Sequence, residues 1–221
     1  MPRKAKIYKK KEKGTIVKDV PKNSSKRKKT IRKEKQNLEE ANKYDLNAGV
    51  SFPGVVRFSE EDAELETEFI SGFNLKDVKN LKLFKDFGRE LKKLHYKDNV
   101  THGELELQDV IVTKENEWVD GDFVLVDLPS LNRVSARKEY AKFKVSVHLW
   151  QLKEPWKWLS YNAASKAFRE GYKPRDLHEV EIKENVDKTI RNYWSKGIIF
   201  KVKAIYLYLF LKPRNKRIAE L

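Results

Sequence analysis

The chain has 221 residues, 39% of them hydrophobic, which is enough to bury the core of one two-lobed domain or of one compact domain with tails; 48 Lys+Arg against 33 Asp+Glu leave a net charge of +15. Such an excess fits an anionic partner, or else a strongly solvated surface of lysine and glutamate. The lack of cysteine excludes disulfides, thiolate catalysis and cysteine-ligated metals, and the four histidines, none at ligand spacing, argue against structural zinc.

No apolar run approaches the roughly 20 residues of a spanning helix. The best candidate, Ala204 to Leu211, is short and bracketed by Lys203 and Lys212. The basic N-terminus lacks an apolar signal core, so an intracellular, cytoplasmic protein without membrane contact is expected, nuclear if the source is a eukaryote.

Residues 1–35 are dominated by Lys and Arg, with apolar islands at Ile7-Tyr8 and Thr15-Ile16-Val17. They read either as a nucleic-acid-binding arm or as two basic strands turning near Gly14, with Ile16 and Val17 as buried anchors; the β-branched run favours strands. Thr30 to Tyr44 holds strong helix formers and no Pro or Gly, so a helix is predicted there, followed by a loop from Asn47 to Gly54. Val55–Phe58 and Leu65–Ile70 read as strands, the latter alternating with period two. Leu83 to His95 is the clearest amphipathic helix, with Phe84, Phe87, Leu91 and Leu94 on one face. Val110–Thr113 and Phe123–Val126 form a second strand pair around a turn at 114–116. Residues 137–211 read as helices carrying Trp150, Trp156, Trp158 and Trp194, with Trp156 and Trp158 assigned to packing, and the tail 212–217 is basic again.

The chemistry concentrates between His102 and Asp127. A hairpin of the two apolar runs returns Asp127 to the loop holding Glu104 and Asp109, so three carboxylates are expected in one cleft. Oxygen ligands of that kind suit Mg²⁺ bound with nucleotide phosphates.

The run His102-Gly103-Glu104-Leu105-Glu106-Leu107-Gln108-Asp109 resembles the catalytic loop His-Gly-Asp-Leu-x-x-x-Asn of small atypical kinases, and Asp127-Leu128-Pro129 stands where that fold carries Asp-Phe-Gly. Ile16-Val17-Lys18-Asp19-Val20-Pro21-Lys22, Arg32-Lys33-Glu34 with Glu39, and Glu68-Phe69-Ile70-Ser71-Gly72 are similar to the early strands, first helix and hinge of the kinase/ATPase subunit of the KEOPS tRNA-modifying complex, a relative of RIO-type kinases. The resemblance implies an α+β, protein-kinase-like fold: a reduced β-rich N-lobe over 1–70, a helical C-lobe over 71–211 and a basic tail over 212–221. It further implies ATP and Mg²⁺ as cofactors. Lys18 would bind phosphates with Glu39 as its partner, Glu68 and Ile70 would touch the nucleotide, Asp109 and Asp127 would hold the metal, and Glu104 would be catalytic. His102 would orient the loop through hydrogen bonds. A threonylcarbamoyl-transferase subunit and tRNA would be its partners.

The departures from that pattern bear on activity. Glutamate replaces the catalytic aspartate at 104, and an added methylene displaces the carboxylate by about 1 Å, a misplacement that can cost ~10²-fold in rate. Aspartate replaces asparagine at 109, Leu128-Pro129 replaces Phe-Gly, and Gly14 alone precedes Gly49, so no glycine-rich phosphate loop is visible. Two functions are therefore expected to compete: a serine/threonine kinase or ATPase of impaired activity, and a pseudokinase scaffold that binds RNA through its basic ends.

Overall fold

The computed structural model describes residues 6–10, 15–19, 25–113, 122–153 and 158–174, with single helical positions at 180, 183, 184, 187, 188, 191, 202 and 205. The expected turns near Gly14 and at 114–116, the side chains of Trp156, Trp158 and Trp194, and the basic tail lie outside the described residues.

Two four-stranded sheets follow from two kinds of apolar run. The first has the order β1(Lys6–Lys10), β2(Thr15–Asp19), β5(Glu64–Glu68), β4(Val55–Ser59), antiparallel throughout. Alternation in β2 divides the two anchors: Val17 is fully buried, whereas the half-buried Ile16 faces a cavity on the other side. The second sheet is built on the hairpin β7(Val110–Val112)/β8(Phe123–Leu125), in which Val110 lies opposite Leu125 and Val112 opposite Phe123. β3(Val50–Ser51) and β6(Phe73–Asn74) flank it, β3 in parallel with β8. β3 falls within the expected loop and β6 beyond the expected Leu65–Ile70 strand. Each is only two residues long, too short to leave an alternation pattern. β5 stops at Glu68, two residues before the expected end.

Helix α1(Ser25–Ala41) starts five residues before the expected Thr30. It buries Ile31, Glu34, Leu38 and Ala41, at i, i+3, i+7 and i+10. Helix α2(Leu81–Tyr96) is capped by the Asn80 side chain, which accepts from the Lys82 amide at 2.9 Å. Its buried stripe packs Phe87 against Phe123, Phe143 and Phe168, with ring centroids 5.1, 5.2 and 6.0 Å away. Such ring pairs each contribute about 0.5–1.5 kcal/mol beyond the area they bury. Phe143 and Phe168 belong to α3(Ala136–Lys153) and α4(Trp158–Tyr172), so Phe87 joins three helices to the second sheet. Among the described residues no helix is long and apolar enough to cross a membrane.

The α2–α4 crossing depends on Gly171, where an added Cβ would stand 1.8 Å from the Lys85 carbonyl oxygen. Backbone cannot yield as a flexible side chain can. Gly171→Ala should therefore lower unfolding free energy by about 1–3 kcal/mol, read as a shift of the urea midpoint with little change in slope.

Candidate functional site

A cavity of about 420 Å³ opens between the two sheets, walled by Ile16 and Lys18 of β2, by Glu34 and Leu38 of α1, and by Asp109 and Asp127 from the second sheet's end. Lys18 reaches it because Val17 occupies the opposite, core-facing side of the strand. Its ammonium donates to Glu34 Oε2 at 2.6 Å and to Asp127 Oδ1 at 2.5 Å. The three side chains are unequally covered, 22% exposed at Lys18, 6% at Glu34 and 57% at Asp127.

Burial alone would lower the pKa of Lys18, but the two carboxylates outweigh it and hold the ammonium above its ordinary value. Burial, helped by the Asp127 charge, pushes the Glu34 carboxyl up against the pull of Lys18. For Asp127 burial would also raise the value, yet Lys18 prevails and keeps it below the carboxylate range. The fixed negative charge thus resides on Asp127, whose backbone at φ 60° is in the left-handed region that aspartate tolerates better than most residues.

The resemblance put Glu39 beside Lys18, and the structure corrects this. Glu34 occupies that place, and Glu39 accepts from Lys35 at 2.9 Å on the exposed side of α1. Five residues turn a helix by roughly 140° beyond a full turn, so Glu34 and Glu39 cannot share a face. The stripe Ile31, Glu34, Leu38 carries the signal, because a glutamate inside an apolar stripe needs a buried partner. Asn37 adds a second tie from α1, donating to the Leu128 carbonyl at 2.9 Å.

Asp109 closes a 3₁₀ turn, Leu107–Asp109, and its carboxylate accepts from the Glu106 amide at 2.9 Å. Its carbonyl accepts from the Val126 amide at 2.9 Å, which sets the turn beside Asp127. Burial raises its pKa to about 7, and repulsion from Asp127 and Glu106 adds to the rise. The extra negative charge expected from this residue is therefore only partly present at neutral pH.

The loop from Thr101 is held from beneath. Gly103 lies at φ +96°, and an added Cβ would meet the Ser130 carbonyl at 2.1 Å. Fully buried Glu139 of α3 accepts from the His102 amide at 3.0 Å, from the Gly103 amide, and from His95 Nε2 at 3.0 Å. Burial would raise Glu139, but the His95 bond and the amides reverse this and hold it low, so it is an ionised carboxylate in the core. His95 Nδ1 is in turn 2.8 Å from the Tyr172 hydroxyl. His102 is buried, which lowers its pKa, and its Nε2–H donates to the Val126 carbonyl at 2.9 Å, an orienting bond between loop and β8 end. Sequence reasoning missed Glu139 and His95; Glu139 is the only acid between Leu128 and Lys153, a signal that composition carried.

Glu104 is exposed and does not line the cavity, so the expected convergence of three carboxylates is corrected to two, Asp109 and Asp127. Directly after the left-handed Gly103, Glu104 is exposed, whereas Asp109 is buried. Glu68 and Ile70 both line the cavity, the Glu68 carboxylate accepting from the Gly54 amide at 2.9 Å. Among the described residues no three histidine, cysteine or acidic side chains are grouped as a metal cage. Mg²⁺ bound with a nucleotide needs no such cage, since it keeps several waters and takes one or two carboxylates beside the phosphates. Asp109 and Asp127, hard oxygen donors on one cavity wall, fit that demand.

No family model and no curated protein matches the chain in sequence. Solved structures match it in shape. The aminoglycoside phosphotransferase APH(3'')-Id of Streptomyces rimosus superposes with TM-score 0.59 at 13% identity, over 82% of this chain and 88% of that one. The same enzyme with ADP and streptomycin gives 0.57 at 13% identity, over 80% and 87%. The streptomycin–ATP complex of APH(2'')-IIa gives 0.56 at 11% identity, over 94% and 91%. The fold is protein-kinase-like. It is α+β, with a sheet-based N-terminal lobe, a helical lobe, and the cavity described above.

The raised pKa of Asp109 fixes the sign of a pH effect. In the unfolded chain this carboxyl ionises near pH 4, whereas in the folded chain it keeps its proton to about 7. The folded state binds the extra proton between these values, so the contribution of Asp109 to native stability falls as pH rises from about 4 to 7 and is flat above. Asp109→Asn, whose amide oxygen can still accept from Glu106, should gain stability over wild type by a few kcal/mol at pH 8 and by much less at pH 4.5. Urea titrations at both pH values check this.

Proposed function

We propose that the chain binds Mg·ATP in this cavity and acts as a slow, atypical serine/threonine kinase or ATPase. The observation that carries the reading is the Lys18 ammonium held between Glu34 and Asp127 at the cavity wall. A lysine with two of its three N–H groups spoken for has one direction left, and a phosphate oxygen is the partner that fits it. The nucleotide complexes of two structural neighbours support ATP as ligand.

In this reading Glu34 keeps Lys18 extended, while Ile16, Leu65 and Ile70 supply apolar walls for a base. Mg²⁺, held by Asp127 and Asp109 when it enters with the nucleotide, would supply neutralisation of phosphate charge. Glu104, exposed and outside the cavity lining, is in this reading the base that meets the acceptor. It takes the proton of the attacking hydroxyl or water as the new O–P bond forms, and the bond from the γ-phosphorus to its bridging oxygen breaks to release ADP. His102 and Glu139 hold the loop and give up no proton.

A KEOPS-type role beside a threonylcarbamoyl-transferase subunit and tRNA rests on the motif resemblance between His102 and Asp127, and adds to the reading a partner that would stimulate turnover. The competing reading is a pseudokinase scaffold. It draws on the Lys18–Asp127 bond, which occupies a metal-ligand oxygen, and on the displacement of Glu104.

Calorimetry with and without Mg²⁺, together with ATP turnover, decides between them. Mg·ATP binding should be lost in Lys18→Ala and Asp127→Ala, weakened about tenfold in Glu34→Gln and unchanged in Glu39→Gln. Glu104→Ala should bind nucleotide normally and turn over ~10²-fold more slowly, with Glu104→Asp faster than wild type. Absence of Mg·ATP binding by the wild type overturns the enzyme reading, and binding without turnover supports the scaffold.

A further inference from the structure

Between Leu128 and Lys153 the chain carries Arg133, Arg137, Lys138, Lys142, Lys144 and Lys153 against a single acid, Glu139. That acid is fully buried and spent on the His102 and Gly103 amides and on His95. No negative charge of this segment reaches the surface. Arg133 and Lys138 are exposed, Arg137 and Lys142 half-buried, and none of the four makes an ion pair among the described residues. Several surface cations outside this segment do have carboxylate partners: Arg32 with Glu60, Lys82 and Arg89 with Asp86, Lys93 with Glu90.

The segment is wrapped around the loop that ends in Glu104. The Asn132 amide donates to the Thr101 carbonyl at 2.8 Å, Thr101 Oγ1 donates to the Val134 carbonyl at 2.9 Å, and Lys142 Nζ donates to the Gly103 carbonyl at 2.9 Å. These cations are therefore built onto the support of the loop that carries the exposed Glu104. Lys138 and Lys142 stand one helical turn apart, roughly 6 Å, close to the spacing of alternate side chains in an extended peptide. The aromatics interleaved with these cations, Tyr140 and Phe143, are fully buried, so no ring on which unpaired bases could stack lies between them.

We propose that this basic rim is an acceptor-docking surface for peptides in which a serine or threonine is flanked by aspartate or glutamate. The proposal rests on the kinase reading above and names the substrate class of that same site. The acidic side chains pair with Arg137, Lys138 and Lys142, which leaves the hydroxyl facing Glu104; a polycation of the aminoglycoside kind is repelled by the same surface.

The test uses the full chain and a fluorescein-labelled peptide with one serine between glutamates, followed by anisotropy without nucleotide. Binding is expected to weaken steeply with salt, to fall about tenfold in Arg137→Ala/Lys138→Ala, and to persist in Arg137→Lys and in Lys28→Ala/Lys29→Ala, which removes two cations from α1. With ATP and Mg²⁺, kcat/KM should favour the Glu-flanked peptide over its Lys-flanked counterpart and over streptomycin. Equal binding of the Lys-flanked peptide, displacement of the labelled peptide by an RNA oligonucleotide at lower concentration than by the unlabelled peptide, or an unaffected double variant overturns the proposal. Normal Mg·ATP binding alongside any of these results leaves the nucleotide reading standing and refutes the acceptor assignment alone.

Discussion

One ammonium group ties together segments that lie 16 and 109 positions apart in the chain: Lys18 with Glu34 and Asp127. Removing such charges from water is costly, and a cation and an anion left singly in that environment would each destabilise the fold. Together they impose three placements at once. β2 must present Lys18 away from its core face, α1 must turn Glu34 inward, and the chain leaving β8 must bend back at Asp127. The left-handed backbone of Asp127 and the Asn37–Leu128 bond are consequences of that closure, and the cavity is the space the closure leaves open.

A second buried charge does for the helical lobe what Lys18 does for the cavity. Glu139 is an anion inside a core of Tyr140, Phe143, Phe168 and Tyr172, and its cost is offset by two backbone amides and one imidazole. Because those amides belong to His102 and Gly103, the loop's position is set by α3 rather than by its own sequence. His95 and Tyr172 extend the support into α2 and α4. The two clusters meet at Val126, whose carbonyl accepts from His102 and whose amide donates to Asp109.

The parts legible in the sequence were those with a strong period or a long apolar run. The Phe84–Leu94 stripe, the Val110/Phe123 hairpin and the Val17 anchor each follow from one-dimensional pattern, and with them the proximity of Asp127 to Asp109. Strand pairs of two residues, β3 and β6, leave no pattern because their stability comes entirely from the neighbours they join. A family motif assigns the Lys18 partner to Glu39, whereas helical phase alone separates Glu39 from the buried face that Glu34 shares with Ile31 and Leu38. Composition marks Glu139 as the lone acid of its segment, but its role depends on an imidazole 44 residues away and on backbone amides, which no side-chain pattern records.

The distribution of charge is what reconciles the strongly basic chain with an acidic cavity. At +15 the whole molecule attracts anions, and long-range attraction of that kind raises the rate of encounter without choosing a site. Selection of a site falls to local geometry. At the cavity Lys18 is offset by Glu34 and Asp127, so the local balance there is negative, and a bare polyanion gains nothing by entering. On the proposed reading a phosphate chain already bearing a divalent cation does gain, since Asp127 would meet the cation and Lys18 the remaining oxygens. On the outer rim the balance is reversed: among the described residues the cations from Arg133 to Lys142 have no carboxylate partner, and Glu139 is spent in the core. Opposite charge preferences on the two sides of one loop separate a metal-carrying phosphate from an uncomplexed anion, and that separation requires only that the segment's single acid be buried.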